Sequence, residues 1–387
     1  MSRAWQLPEH IADVLPAQAR RIEALRRRML DQAEGRGFEL VMPPMLEYLD
    51  SLLSGTGREL NLQTFKLVDQ LSGRTLGLRA DTTPQVARID AHLLNRPGVA
   101  RLCYCGPVLH TRPSVLHGSR ELLQFGAEIF GHAGLEADLE IHELAIDALV
   151  DTGLAELTID LADARVLRGV LAGVSIDADG LQEIAAALST KDAQALAVLT
   201  AGIPDETRTA LQALLRLYGS SEVLASARRE LPQRPAITAA LDELQWLAAH
   251  LAAAHPTLRI GFDLGDMSGY AYYSGPRFAV YGGRSSDAVA RGGRYDEIGA
   301  IFGRNRPAVG FSLDLKALAE LMPIPRKSAT IRAPWGEDPA LRLAVRRLRD
   351  EGHHVIWILP GHVVDDGDAD CDRQLVQADG RWVVVAR

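Results

Sequence analysis

The chain of 387 residues predicts an α+β fold, built on a large and mainly antiparallel sheet with helices. Residues 100–131 are typical of a long antiparallel hairpin, two strands joined by a loop rich in Arg, His, Pro and Gly. A stretch from about 165 to 256 is rich in Ala and Leu and has helical periodicity throughout. Strand patterns return after Pro256, so we expect this stretch to be a helical insertion in the sheet domain.

Periodicity and the positions of glycine and proline place the elements of the N-terminal half. We predict helices at 16–35, 84–94 and 135–149, and strands at 38–42, 64–68, 75–78 and 157–161. The first helix is expected to end at Gly35, since glycine favours a helix C-terminus. Pro43 should stop the strand before it, because proline cannot donate to a strand ladder.

The second half predicts further strands and a small separate unit. We predict strands at 260–264, 271–273, 277–281, 308–313 and 355–359 and on either side of 378–380, with a helix at 338–351. A proline-bearing segment at 323–327 predicts a domain boundary. The expected organisation is a sheet domain at 1–164 and 257–325, a helical insertion at 165–256 and a small α/β domain at 326–387.

Composition disfavours several classes of function. The formal net charge of −8 disfavours a general nucleic-acid binder, because Lys and Arg supply most non-specific affinity for phosphates. Three cysteines form neither a disulfide framework nor a four-ligand zinc site, so we expect no metal and no cofactor. Residues such as Trp5 and Pro8 interrupt any apolar leader, and no run approaches the length of a membrane span. We therefore expect a cytoplasmic protein.

Four segments carry polar or aromatic residues in patterns that suit a binding site. Segment 78–84 (LRADTTP) suits an ammonium site or an ordinary helix cap, and 124–128 (QFGAE) a polar pocket or a solvated face. Segment 269–273 (GYAYY) suits packing or a polar contact, and 291–296 (RGGRYD) an anion site or a tight turn. Each segment alone leaves both interpretations open.

In order and spacing, the four segments together resemble histidyl-tRNA synthetase, a class II synthetase. The resemblance runs from about residue 5 to 325, apart from the helical insertion. Residues 37–44 resemble the first class II motif, 104–128 the second, and 292–296 (GGRYD) a histidine-specific signature. The resemblance implies the class II antiparallel sheet flanked by helices, followed here by a shortened C-terminal α/β unit.

The chain departs from the synthetase pattern where a working enzyme carries charged catalytic groups. His110, Ser268 and Ala317 occupy positions at which the resemblance implies arginines, and Arg112 stands in place of a glutamate. Adenylation depends on fixed positive charge around the phosphorus. We therefore predict no catalytic residues and no aminoacylation by this chain.

The positions that the resemblance assigns to the amino-acid pocket retain more of the family's residues than the catalytic positions do. The resemblance implies that Asp81, Thr83 and Gln124 surround the ammonium group of histidine, Glu128 and Tyr273 reach its imidazole, and Tyr295 closes one side. Asp81 is one methylene shorter than the family's glutamate, and Ser268 removes the cation expected near the ligand carboxylate.

A kept histidine pocket without catalytic arginines or a full anticodon domain is similar to one family, the regulatory subunits of ATP phosphoribosyltransferase. The resemblance implies a non-catalytic subunit in histidine biosynthesis, a homodimer within a hetero-oligomer that contains the short-form catalytic subunit, and feedback by free histidine. Two alternatives remain: an active divergent synthetase or amino-acid adenylating enzyme, and a tRNA-binding relative. Arginines within 20–28 support the second, although a solvated helix face explains them more simply.

Overall fold

The computed structural model describes residues 6–53, 58–113, 118–270, 272–283, 285–322, 330–361 and 371–386. The chain divides into two compact units, Met1–Met322 and Pro323–Arg387. Each unit has its own apolar core. Within the described ranges, every helix is too short or too polar to traverse a lipid bilayer.

The elements of the first unit agree closely with the periodicity of the sequence. Its helices are α1 (Pro16–Gly35), α2 (Leu49–Leu52), α3 (Arg58–Gln63), α4 (Thr83–Arg88), α5 (Leu135–Val150), α6 (Ala164–Leu171), α7 (Ala178–Ser189), α8 (Ala193–Leu199), α9 (Asp205–Leu214), α10 (Glu222–Glu230), α11 (Pro235–Ala254), α12 (Ile298–Ile301) and α13 (Leu315–Leu321). Its strands are β1 (Glu39–Leu40), β2 (Leu46–Tyr48), β3 (Lys66–Val68), β4 (Thr75–Leu78), β5 (Ala100–Leu109), β6 (Glu121–Phe130), β7 (Thr158–Asp163), β8 (Tyr218–Gly219), β9 (Arg259–Asp263), β10 (Pro276–Tyr281), β11 (Ala290–Arg294) and β12 (Ala308–Asp314). A π-helical turn, Ile89–Leu94, continues α4.

In the part of the chain that the structure describes, one nine-stranded sheet organises this unit, in the order β1-β5-β6-β12-β11-β10-β7-β9-β8. Most neighbours are antiparallel, and β1 with β5 and β7 with β9 are the parallel pairs. A second sheet has the order β2-β4-β3. The predicted α+β class and the predicted β5–β6 hairpin are confirmed.

The two faces of the large sheet have different partners. Phe125, Ala127 and Phe311 point into the main core, together with buried residues of α1, α5 and α11. Alternate residues such as Leu102 and Tyr104 point to the other face and pack with Val86 of α4. This alternation separates an apolar face from the face that carries the candidate site.

Along the sequence, helices α6–α11 come between β7 and β9, two strands that pair with each other in parallel. Several begin at an aspartate whose side chain accepts a backbone N–H, as Asp177 does for α7 and Asp192 for α8. Such caps satisfy donors that the first turn of a helix leaves unpaired. Their buried faces are leucine and alanine, for example Leu188 and Leu211, which explains the composition of this stretch.

Two local predictions need correction. The strand predicted at 271–273 is wrong: Tyr272 and Tyr273 lie in a turn before β10, and Ala271 falls outside the described residues. The segment that begins the RGGRYD motif, for which a tight turn was one interpretation, is strand β11, paired with β10 and β12. Glycines obscured the strand because they have low strand propensity.

The second unit contains β13 (Thr330–Pro334), α14 (Pro339–Asp350), β14 (His354–Ile358), β15 (Arg373–Ala378) and β16 (Arg381–Ala386). Its sheet has the order β14-β13-β15-β16, with β13 parallel to both β14 and β15. Leu341 and Val345 of α14 are buried with Ile331 and Val355 of the sheet.

Candidate functional site

The junction between β4 and α4 places a carboxylate over the large sheet. Arg79, which is buried, donates to the carbonyl oxygens of Pro107 at 2.7 Å and Pro43 at 2.8 Å, and so fixes the chain just before Asp81. Buried guanidinium groups persist where several acceptors satisfy them. The junction therefore has a defined position relative to β5.

Asp81, Thr83 and Gln124 form one hydrogen-bonded group. Asp81 Oδ1 accepts from Gln124 Nε2 at 2.8 Å and from the Thr83 backbone N–H at 3.1 Å. The Gln124 oxygen accepts the Thr82 backbone N–H at 2.9 Å, which fixes the orientation of the amide. A carboxylate, a hydroxyl and an amide oxygen are acceptors that suit an ammonium group. The structure thus brings together the three side chains predicted for the ammonium end.

Glu128 is the centre of the second group and is almost fully buried. Its Oε1 accepts from the hydroxyls of Tyr104 at 3.1 Å and Thr83 at 3.3 Å, and its Oε2 accepts from the Tyr295 hydroxyl. Burial raises the pKa of Glu128 to about 8, although the hydroxyl donors, Tyr295 first, oppose the rise. A buried carboxyl that titrates near neutrality is suited to a ligand with a polar N–H.

Thr83 connects the two groups. Its Oγ1 lies 3.2 Å from Asp81 Oδ1, 3.3 Å from Glu128 Oε1 and 3.0 Å from the Tyr104 hydroxyl. A hydroxyl carries one proton, so it donates to one of these oxygens at a time. The ammonium end and the imidazole end of the predicted pocket are therefore a single network.

Aromatic side chains form one wall beside Glu128. The Tyr272 ring stacks on Tyr295 with centroids 5.0 Å apart, and Tyr273 meets Tyr272 edge-on at 5.4 Å. Arg277 lies with its guanidinium carbon 5.5 Å from the centre of the Tyr273 ring. Among the described residues, the buried Tyr272 hydroxyl has no hydrogen-bond partner. Tyr273 joins the site through this stack.

Glycines form the floor beneath the network. The register aligns Gly126 of β6 with Tyr104 of β5, and Glu128 of β6 with Gly310 of β12. A Cβ atom at Gly310 would overlap the Glu128 carboxylate, and one at Gly126 would overlap the Tyr104 side chain. The polar network therefore occupies space that these positions leave empty.

A cleft of about 350 Å³ opens beside the network. Its lining includes Asp81 and Gln124 of the first group, His110 directly after β5, Arg291 of β11 and Asp314 of β12. A cavity of this size accommodates a small molecule. In the described part of the chain, no cluster of His, Cys, Asp and Glu side chains is arranged to hold a metal ion.

The three positions that the resemblance assigns to arginines have other contacts here. His110 is buried, with Nε2 2.9 Å from the Ala80 carbonyl oxygen. The Ser268 hydroxyl donates to Asp266 at 2.7 Å, and Ala317 contributes its backbone N–H to the Asp314 side chain that caps α13. Arg112, at the swapped position, is exposed. None of the three replaced positions supplies a fixed positive charge.

Tyr295 is held by a buried ion pair one residue away. Arg294 of β11 pairs with Asp138 of α5, and its guanidinium also donates to the carbonyl oxygens of His132 and Gly134 at 3.1 Å each. Asp138 is fully buried and Arg294 nearly so. Breaking such a pair leaves a buried charge unsatisfied. The pair therefore positions the end of β11, from which Tyr295 reaches Glu128.

Two known protein families match most of the chain. The family model described as histidyl-tRNA synthetase matches residues 10–318, and the model described as the ATP phosphoribosyltransferase subunit HisZ C-terminal domain matches residues 328–385. The ATP phosphoribosyltransferase regulatory subunit of Albidiferax ferrireducens is 58% identical over 383 residues, 99% of each chain. This chain belongs to the ATP phosphoribosyltransferase regulatory subunit family.

A second relative and two solved structures are also similar to this chain. The regulatory subunit of Variovorax paradoxus is 59% identical, again over 99% of each chain. A Bacillus halodurans structure described as an ATP phosphoribosyltransferase regulatory subunit/histidyl-tRNA synthetase has a TM-score of 0.82 at 27% identity, covering 94% of this chain and 95% of that one. Histidyl-tRNA synthetase from Nostoc shares the fold, with a TM-score of 0.77 at 18% identity and coverage of 99% and 97%. The class II fold and the family inferred from the sequence are confirmed.

Two contributors to the site were missed from sequence. Tyr104 donates to Glu128, and Tyr272 stacks on Tyr295. The signal for Tyr104 was the glycine at position 126, which lies opposite it in the register. That pairing emerges only once the two strands of the hairpin are aligned.

Proposed function

We propose that this chain activates a short-form ATP phosphoribosyltransferase catalytic subunit in the cytoplasm, and that free histidine reverses the activation by binding at the network around Glu128. One observation carries the proposal. Asp81, Thr83, Gln124 and Glu128 form a connected set of buried and half-buried acceptors, while the predicted catalytic positions hold no arginine.

Histidine fits the network end by end. Asp81, Thr83 and Gln124 would receive the three N–H donors of the ammonium group. Glu128 would accept an imidazole N–H, with Tyr273 and Tyr295 beside the ring. Glu128 already accepts from the hydroxyls of Thr83, Tyr104 and Tyr295, so the imidazole N–H would join or replace one of these donors.

Aminoacylation by this chain is proposed to be absent. Removing one preorganised donor from a catalytic site typically lowers the rate by about 10²–10³. His110, Ser268 and Ala317 replace three, and neither serine nor alanine reproduces the forked donor geometry of arginine. The cleft beside the network therefore lacks the three arginines that the synthetase resemblance implies for orienting a triphosphate.

We also propose that the chain forms a homodimer within the hetero-oligomer. Large apolar side chains are exposed at and after the edge strand β1 and on β2: Leu40, Met42, Leu46 and Tyr48. Contiguous exposed apolar surface is typical of protein interfaces.

We further propose that the chain is organised as a sheet domain at 1–164 and 257–325, an insertion at 165–256 and a small domain at 326–387.

The test is the activity of a short-form catalytic subunit with and without this chain, across a histidine titration. Feedback requires two states with different affinity for histidine, and such coupling typically changes affinity about 5- to 150-fold. Stimulation that histidine reverses would support the proposal. If the chain gave no stimulation, the proposal would fail, and histidine-dependent ATP–pyrophosphate exchange would then test the synthetase alternative.

A variant pair locates the effector site. At a pH above the Glu128 pKa of about 8, Glu128→Gln removes an ionised acceptor and should raise the half-inhibitory histidine concentration about tenfold or more, as expected for a charge-assisted hydrogen bond. The matched control is Glu297→Gln, since Glu297 is exposed near the same segment. Equal inhibition of both variants would place the effector elsewhere.

A further inference from the structure

The proposed pocket accounts for two ends of an amino acid and leaves the third to be assigned. In that pocket the ammonium group would lie at Asp81 and Gln124, and the side chain would lie at Glu128. The carboxylate then points away from these acceptors, because two carboxylates repel each other. It faces the cleft that Asp81 and Gln124 also line. The position that would supply a synthetase-like cation is Ser268, which is neutral.

The surroundings of Ser268 disfavour an anion. The Ser268 hydroxyl donates to Asp266 Oδ1, and the Asp266 carboxylate adds negative charge at this point. The nearest buried cation, Arg277, pairs with Asp266 and also donates to the Ser268 carbonyl oxygen at 2.6 Å. Because Arg277 is 4% exposed and engaged on both nitrogens, it is not available to a ligand.

Arg291 is placed differently. The register aligns Arg291 of β11 with Ser312 of β12, and Ser312 with Gly126 of β6. Gly126 lies between Gln124 and Glu128 on their shared face, so Arg291 lies on the ligand face two strands away. Two strand spacings are about 10 Å, which an arginine side chain and an amino-acid carboxylate bridge together. Among the described lining residues of the cleft, Arg291 is the one permanent cation.

The present partner of Arg291 is weak and exchangeable. Its guanidinium lies 2.9 Å from Asp287 Oδ1, and the two side chains are 43% and 50% exposed. Exposed ion pairs of this kind contribute little to stability. Replacing Asp287 by a ligand carboxylate would keep one fork of the guanidinium paired at low cost.

We infer that Arg291 anchors the carboxylate of the bound amino acid and takes over the contact that position 268 has lost. The inference rests on the proposed histidine site and adds its carboxylate specificity. It assigns a binding role to a residue outside the GGRYD signature.

The experiment compares L-histidine with L-histidinol, in which an alcohol replaces the carboxylate. Both ligands are titrated calorimetrically into the full chain as wild type, Arg291→Ala, Arg291→Lys and Arg259→Ala. Arg259 is the control, since it is an exposed arginine on the same sheet, 3.6 Å from Glu156. We expect Arg291→Ala to weaken histidine about 10- to 100-fold and to leave histidinol unchanged, with Arg291→Lys intermediate.

The outcomes separate this inference from the proposal on which it rests. Loss of histidine affinity alone supports the carboxylate anchor. Equal weakening of both ligands, or no weakening of either, overturns it while the histidine site stands. Wild-type protein that binds neither ligand overturns the histidine site itself and the inference with it.

Discussion

The raised pKa of Glu128 makes a quantitative prediction about stability. A carboxyl whose pKa is about 8 in the folded chain, against 4.5 normally, is protonated in the folded chain and ionised in the unfolded chain throughout the range between these values. The unfolded chain releases that proton, so the free energy of unfolding falls as pH rises. The slope is about 1.4 kcal/mol per pH unit. This contribution is fully present below pH 4.5 and is lost as pH rises towards 8.

Glu128→Gln isolates this contribution, because glutamine has the same shape and does not titrate. Between pH 5.5 and 7.5, the unfolding free energy of the wild type should fall by about 2–3 kcal/mol relative to the variant. Urea denaturation at several pH values measures both, and Glu297→Gln, which changes an exposed carboxylate, should parallel the wild type. Other buried carboxyls titrate in all three proteins and cancel in the comparison.

Two results would refute the reasoning. A wild-type curve parallel to that of Glu128→Gln would mean that the pKa of Glu128 is not raised. A difference of opposite sign would mean that the three hydroxyl donors outweigh burial and hold the group ionised.

Three further perturbations follow from the same geometry. Tyr295→Phe removes the hydroxyl donor to the buried carboxylate and should weaken histidine about 3- to 10-fold by calorimetry; unchanged affinity would remove Tyr295 from the site. Asp138→Asn removes the buried counter-charge of Arg294 and leaves Asp296, 3.3 Å away, as its carboxylate partner, so it should cost about 3 kcal/mol in urea unfolding; a loss below about 1 kcal/mol would contradict the positioning role. Met42, 72% exposed, lies at the proposed dimer surface, so Met42→Asp should shift sedimentation towards monomer, whereas Val198→Asp on the helical segment should not.

The fold could be predicted where an element depends on a pattern of neighbouring residues in the sequence. α1 begins at a proline and ends beside glycine, and its apolar residues repeat with helical spacing, so its bounds follow from neighbouring residues alone. Strands β5 and β6 are long and joined by a single loop, which makes their pairing nearly inevitable. β11 escaped clear prediction because two of its five residues are glycine, and only pairing with β10 and β12 makes it a strand.

The site was predictable as a set of residues but not as an arrangement. The resemblance supplied Asp81, Gln124 and Glu128, and the structure brings them into one network. The contact of Tyr104 with Glu128 depends on register, and the placement of Arg291 depends on the order of four strands. Such long-range relations leave no periodic signal in the sequence.

Because glycines form the floor of the site, the space for the polar network depends on positions that carry no side chain. One methyl group at Gly310 would collide with the Glu128 carboxylate, while every charge and hydrogen-bonding group of the chain would remain present. The capacity to bind can thus be lost through volume alone, without any change in polarity. A relative with all the polar residues in place and alanine at this position would have its Glu128 carboxylate displaced from the network.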